Sequence, residues 1–316
     1  MAGGEELVRD SPHGVRVTRP AKTLFPQDKI TKGDLIDYYR RIAPWILPHL
    51  RGRPLAMERY PDGIEQPGFF QKSAPPYYPG WLHTVTVKKV GGTVKHVVCD
   101  DARTLVYLAN QACVTPHIWL SRTDRLDRPD QMVFDLDPSV PGLEPVKAAA
   151  RSLKELLDQL GLPAYLKTTG SRGLHVVVPL IRREGFDAVR AFATEVARIL
   201  VSQEPEQLTL EQRKSKRRER VFIDTNRNAY AQTVAPAYAV RAHRGAPVSV
   251  PLAWSELGRK DLRSDGVTIR TLFDRLEKVA DPWTDFWRRG VSLGKARRKL
   301  EKLDDARTLP QETQFH

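Results

Sequence analysis

"QMVFDLDPSV" (131–140) sets two carboxylates, Asp135 and Asp137, into a run that is otherwise mostly apolar. Strand alternation places Met132, Phe134 and Leu136 on one face and Val133, Asp135 and Asp137 on the other. An unpaired buried carboxylate costs several kcal/mol or takes up a proton. A metal ion, a basic partner or exposure must therefore offset the burial, and Pro138 ends the strand so that both acids fall at its terminus. Carboxylates ~6–7 Å apart along one face suit a pair of divalent cations. Taken alone, the motif equally describes two solvent-facing acids at a strand end.

The flanking sequence supplies a fold for this strand. A helix is predicted over "EPVKAAARSLKELLDQLG" (144–161), strands at "AYLKTTG" (164–170) and "LHVVVPL" (174–180), a helix near 186–202, and a strand at "VFID" (221–224). The order β-α-β-β-α-β is that of a split β-α-β unit, ferredoxin-like or RRM-like. In such a sheet the first and third strands are central neighbours, and the fourth is an edge strand beside the first. Asp224 ends that fourth strand and shares a face with Phe222, so the topology makes a three-carboxylate cluster available. Such a cluster calls for a hard cation, Mg²⁺ or Mn²⁺. "TTGSRGLHVVV" (168–178) joins the second and third strands. Its glycines free backbone N–H groups, and Ser171, Arg172 and His175 add donors suited to phosphate oxygens. A β-turn with a core histidine would look similar; beside three acids, the stretch reads as the triphosphate cradle of a nucleotidyl transferase.

The first half is less regular. "VRVTRPAKTLFP" (15–26) reads as a short strand and turn. A helix follows over 31–50, with Thr31 as its cap and Leu35, Ile36, Tyr39, Ile42 and Ile46 at helical spacing. "PLAMERY" (54–60) is strand-like, and "PDGIEQPGFFQKSAPPYYPG" (61–80) is a loop rich in Pro and Gly. "HTVTVKKVGGTVKHVVCD" (83–100) is a hairpin about Gly91 and Gly92, followed by a helix from 101 and a strand at "PHIWLS" (116–121). The expected organisation is an N-terminal α/β subdomain (1–125), an RRM-like catalytic subdomain packed on it (126–290) and a charged C-terminal helix and tail (291–316). The fold class is α+β.

With 51 Lys+Arg against 38 Asp+Glu, a net +13 over 316 residues, the chain favours a polyanionic partner, nucleic acid before an anionic membrane surface. Its two cysteines, Cys99 and Cys113, have no His or Cys at metal-ligand spacing, which argues against a disulfide framework or zinc site and fits a reducing cytosol. The first residues, "MAGGEELVRDSPHG", lack an apolar signal core, and no apolar run approaches the ~18 residues of a membrane span. A soluble protein with no membrane partner is expected.

FDLDP, T-x-G-S-R-G-L-H-V-V-V-P-L and V-F-I-D, in this order, resemble the archaeo-eukaryotic primase superfamily, and most closely the polymerase domain of bacterial ligase D used in non-homologous end joining. "RPAKTLFP", "TKGDLIDYY", "RGRPLAMERYPDG" with "GFFQK", "PHIWLSR" and "RGAPVSVPLAWSEL" extend the resemblance over roughly 15–280. The resemblance implies that Asp135, Asp137 and Asp224 bind two catalytic cations, Mn²⁺ or Mg²⁺. Ser171, Arg172, His175 and Arg241 would hold the incoming triphosphate, with His117 near the nucleotide. Lys22 and Lys32 would hold the 5′-phosphate of a gapped or broken DNA end. Phe69 and Phe70 would stack on template bases, and Arg59 and Lys72, in the same blocks, are expected on the DNA. Position 172 is often lysine in the family, and arginine offers a forked contact instead. Thr225 and Asn226 replace bulkier residues, and one extra residue stands between Pro236 and Arg241. The basic run Arg213 to Arg220 is read as a solvated or DNA-facing loop.

The resemblance implies a template-dependent, ribonucleotide-preferring polymerase that extends DNA ends and fills gaps, with Ku and an ATP-dependent ligase as partners, in a prokaryotic cytoplasm at the nucleoid. No ligase adenylation motif or nuclease module is recognisable, so a stand-alone polymerase or an excised domain is expected. A de novo primase would use the same acids. A DNA-end-binding scaffold without catalysis is disfavoured by three acids that would repel phosphate, and a metal-dependent nuclease or phosphatase would not need the triphosphate cradle.

Overall fold

The computed structural model describes residues 14–308; residues 1–13 and those beyond 308 lie outside the described residues. Contacts divide the chain into two compact units. One comprises the chain up to Leu126 with Lys167–Arg172 and Ala231–Pro282, the other Asp127–Leu166, Gly173–Tyr230 and the chain from Trp283 on. The sequence division near residue 125 coincides with the first of these junctions, whereas 167–172 and 231–282, assigned by sequence to the second half, cluster with the first.

In the first unit, helix α1 (Lys32–Leu50) starts at Thr31 in a capping box: Asp34 N donates to Thr31 Oγ1 (3.1 Å) and Thr31 N to Asp34 Oδ2 (2.8 Å). Its inner face buries Leu35, Tyr38, Tyr39, Ile42 and Ile46. Tyr39 Oη donates to Val114 O at 2.6 Å, which anchors the helix to the sheet. That sheet is antiparallel: strands β1 (Leu55–Arg59), β2 (Phe69–Gln71) and β3 (Cys113–Trp119) run in the order β3-β1-β2, with the short strand Thr233–Val234 outside β3. Asp101 caps helix α2 (Ala102–Asn110) by accepting from Thr104 N at 2.7 Å. The expected hairpin forms between Thr84–Lys89 and Gly92–Val97, and both Gly91 and Gly92 have positive φ.

The second unit contains β4 (Gln131–Asp137), α3 (Glu144–Leu160), β5 (Leu174–Pro179), α4 (Phe186–Gln203), β6 (Leu208–Thr209) and β7 (Val221–Asp224). β4 pairs antiparallel with both β5 and β7, as the split topology requires. One expectation is corrected: β7 is not an edge strand, because β6 pairs parallel with its outer side. Two residues are too few for any period to register in sequence. Val146, Leu153 and Leu157 of α3 and Val189, Phe192 and Val196 of α4 are fully or almost fully buried. The charged C-terminal segment forms a helix over Gly294–Thr308 with Ala296 and Leu300 buried.

Candidate active site

The second unit carries the acids. The β4–β7 register sets Asp135 directly opposite Asp224, and the β4–β5 register sets His175 opposite Asp135 on the other side. Asp224, Asp135 and His175 thus form a row across three strands, and Asp137 lies two residues further along β4 on the same face. His175 Nε2 is 3.2 Å from Asp135 Oδ1, and both side chains are buried. His175, expected on the triphosphate, contacts a carboxylate in this structure.

Arg227 follows β7 in a short 3-10 turn and brings its guanidinium Nε 3.5 Å from Asp135 Oδ2 and 3.7 Å from Asp224 Oδ2. That turn is fixed by Asn228, which is fully buried. Asn228 accepts from Val133 N (2.8 Å) and donates to Val133 O (2.7 Å) and Thr225 O (2.9 Å). Asn226 N donates to Asp224 Oδ1 at 2.8 Å, which orients that carboxylate. Behind the acids, Gly173 lets β4 and the loop before β5 meet: a Cβ there would lie 2.1 Å from Leu136 O.

Three carboxylates at one end of adjacent strands are a hard-oxygen donor set that fits Mg²⁺ or Mn²⁺. Their oxygens do not yet converge: among the described residues no group of three or more His, Cys, Asp or Glu side chains gathers about one point. Arg227 supplies positive charge beside Asp135 and Asp224, which offsets the repulsion between them. Ser139 Oγ donates to Arg220 O (2.6 Å), tying the basic segment to the end of β4. Within that segment Arg217 is not solvated as expected: it is buried, its guanidinium 3.8 Å over the Phe222 ring.

The first unit gathers a second cluster. Glu58 and Phe70 are cross-strand partners, as are Ala56 and His117, so Glu58, Phe70 and His117 share a face. His117 Nε2 lies 2.9 Å from Glu58 Oε2, and Phe70 meets the imidazole edge-on at 5.1 Å. Burial would raise the Glu58 pKa, but the His117 hydrogen bond and the nearby His117 and Arg241 charges hold it down at about 2. Arg241 Nη1 donates to Thr169 O at 2.9 Å, which sets Arg241 beside the Gly170-Ser171-Arg172 turn despite its extra upstream residue. Gly170 has φ +66°, and a Cβ there would lie 2.7 Å from Arg241 Cγ, so only glycine fits on both counts. Burial lowers the pKa of His243, as do the charges of Arg241 and Arg172, while Glu58 and Asp265 oppose them.

A third group lies at the start of α1. Lys32 is buried with Nζ 3.1 Å from Thr18 Oγ1, and burial together with the Arg19 and Lys22 charges lowers its pKa to about 8. Lys22 pairs with the exposed Asp62 at 2.8 Å. Phe69 and Phe70 diverge. Phe70 lies on the Glu58–His117 face, whereas Phe69 pairs with Arg59 on the opposite one. Arg59 is buried and donates to Gln111 O (2.7 Å); Lys72 is exposed just beyond β2. Sequence reasoning did not single out Glu58, Arg227 or His243. Glu58 was legible in principle, two residues from Ala56 in a strand; nothing local marks Arg227.

A family model for the LigD primase-polymerase domain matches residues 31–283. The multifunctional non-homologous end joining protein LigD of Pseudomonas aeruginosa is 34% identical over 282 residues, covering 88% of this chain and 33% of that protein. The bifunctional LigD of Bacillus subtilis is 32% identical over 269 residues, covering 84% of this chain and 43% of that protein. The chain thus spans well under half the length of either relative. Among solved structures, the polymerase domain from Mycobacterium tuberculosis ligase D in complex with DNA superposes with a TM-score of 0.82 at 29% identity, covering 87% of this chain and 99% of that one.

Proposed function

The chain belongs to the LigD primase-polymerase domain family, and from that premise we propose that it is a template-directed polymerase extending DNA 3′ ends at 5′-phosphorylated gaps and breaks. The observation that carries the reading is the row Asp224–Asp135–His175 with Asp137 beside it, a hard-donor array in a chain of net charge +13. Asp135, Asp137 and Asp224 would hold two divalent cations, Mn²⁺ or Mg²⁺. When bound, these ions supply Lewis-acid activation of the 3′-hydroxyl and neutralise charge on the departing pyrophosphate.

The chain's own residues do the positioning. Ser171 and Arg172 donate to the triphosphate, and Arg241, held against Thr169 O, adds a fixed positive charge. Glu58 fixes the His117 ring near the nucleotide, and Phe70 packs beside it to take the templating base. Lys32 and Lys22 receive the 5′-phosphate; Lys32 starts from a destabilised ammonium, so an arriving phosphate is favoured. Arg227 holds the acids together until cations arrive. Preference for ribonucleotides, action with Ku and an ATP-dependent ligase, and a place at the bacterial nucleoid complete the proposal. Among the described residues no helix is long and apolar enough to cross a membrane.

Primer extension on a gapped duplex with a 5′-phosphate tests this, with ribo- or deoxynucleotides and Mn²⁺ or Mg²⁺, beside Asp135→Ala and Asp137→Ala. Template-directed addition lost in both variants is expected. Tight binding without addition under either metal would leave a DNA-end scaffold instead.

A further inference from the structure

From Gln66 to Cys99 the chain has no Asp or Glu, yet it carries Lys72, Lys88, Lys89 and Lys95. Within the same stretch Phe69, Tyr77 and Trp81 are 47%, 65% and 37% exposed. Their rings belong to one continuous path. The Arg59 guanidinium lies 5.5 Å from the Phe69 ring centroid and reaches the Tyr77 hydroxyl at 3.4 Å. Tyr77 meets Tyr78 edge-on at 5.3 Å, Tyr78 meets Tyr107 at 5.2 Å, and Tyr107 meets Trp81 at 5.6 Å. Arg103 closes the path 4.0 Å over the Trp81 ring. Ala74 N donates to Lys95 O (2.7 Å), tying this loop to the hairpin that bears three of the lysines.

The path is not the face already described. Phe70 shares its face with Glu58 and His117, whereas Phe69 pairs with Arg59 and so looks the other way. Edge-to-face packing holds Tyr77 and Trp81 in place, and because Arg103 covers one flat side of Trp81 a base would stack on the other. Aromatic rings in line with two guanidinium groups, in a stretch of sequence with lysines and no carboxylates, match a single-stranded polyanion with flat bases. A protein partner would meet here lysines in excess, with Asp100 at the edge of the stretch already paired with His83.

We infer that Phe69, Tyr77 and Trp81 form a stacking track for single-stranded DNA adjoining the broken end, its phosphates attracted by Lys72 and the hairpin lysines. The inference deepens the proposed function, since it assigns the overhang of the same substrate a second, sequence-independent binding path. It separates two neighbouring aromatics into two roles: Phe70 at the templating base, Phe69 at the start of the track.

The test is fluorescence anisotropy with duplexes bearing a recessed 5′-phosphate and an overhang of either about 2 or about 12 nucleotides, the longer one within the site size of single-strand binders. The intact chain is expected to bind the long overhang about tenfold more tightly, equivalent to about 1.4 kcal/mol. Tyr77→Ala/Trp81→Ala is expected to bind both duplexes alike, and Tyr77→Phe/Trp81→Phe to regain the difference. An equal gain in the alanine protein, or no gain in the intact chain, overturns the inference. So does a gain abolished only by replacing the lysines, which would make the effect purely electrostatic. Because binding needs no nucleotide, a protein inactive in primer extension can still show the gain, and an active polymerase can lack it.

Discussion

Asp135 and Asp224 face one another across β4 and β7, and the Arg227 guanidinium lies 3.5 Å from the first carboxylate and 3.7 Å from the second. Like charges directly opposite on paired strands are destabilising, so Arg227 acts as an internal counterion. Arg227→Ala is expected to lower the stability of the metal-free protein by about 1 kcal/mol, a modest figure because the side chain is 42% exposed. Mn²⁺ should then raise the melting temperature of the variant more than that of the parent. Thermal melts in chelator and in Mn²⁺ decide this; equal metal-induced shifts would refute the counterion role.

Glu58 supports His117, with its carboxyl held at about 2 despite burial. A carboxylate depressed on folding contributes stability that is present above its unfolded pKa, near 4.5, and is lost as pH falls through about 2. Glu58→Gln should therefore lower stability at neutral pH, by less than the full shift implies because the carboxyl keeps some contact with solvent. It should also flatten stability against pH across that acidic window and loosen the His117 ring. Denaturant titrations at several pH values and imidazole NMR are the measurements.

Burial and the neighbouring Arg19 and Lys22 charges bring Lys32 down to about 8, within reach of physiological pH. Depressed on folding, it binds fewer protons in the native state between about 8 and its ordinary 10.5, so the cost of burying its charge is relieved as pH rises through that window. Phosphate recognition runs the opposite way, because it needs the ammonium. The preference for 5′-phosphorylated over 5′-hydroxyl gapped DNA should be large at neutral pH and shrink above about 8. Lys32→Ala should remove both the preference and its pH dependence, as read by anisotropy.

Gly173→Ala would drive a Cβ to 2.1 Å from Leu136 O, a clash with backbone rather than with a yielding side chain. A loss of roughly 2–3 kcal/mol is expected, with the β4 acids displaced and nucleotide addition falling alongside. Chemical denaturation and primer extension on the same protein would show both losses.

The acids were readable from sequence because each ends a short, strongly apolar strand, where period-two alternation fixes the face. The pairing order β7-β4-β5 followed from the β-α-β-β-α-β succession alone. Register did not: which β5 residue opposes Asp135 depends on the turn between strands, so the His175 contact was not foreseen. Arg227 lies in a single turn with no period to expose it. Phe69 and Phe70 looked like one feature because adjacency in sequence says nothing about faces until a strand is assigned there. Glu58 lay in a strand the sequence does predict, but the register that sets Ala56 opposite His117, and so brings Glu58 to the imidazole, is not written in it.

The chain passes between its two compact units at 126/127, 166/167, 172/173, 230/231 and 282/283. Ser171 and Arg172 thus sit on a brief excursion that returns at Gly173 to the unit bearing the acids. A fragment ending near residue 125 lacks Arg241 and the rest of Ala231–Pro282, and one beginning there separates Thr233–Val234 from β3, the strand it pairs with. No single cut yields either body whole. For protein engineering, neither half is a transplantable module, and a swap between relatives must exchange the entire span or splice at all five crossings.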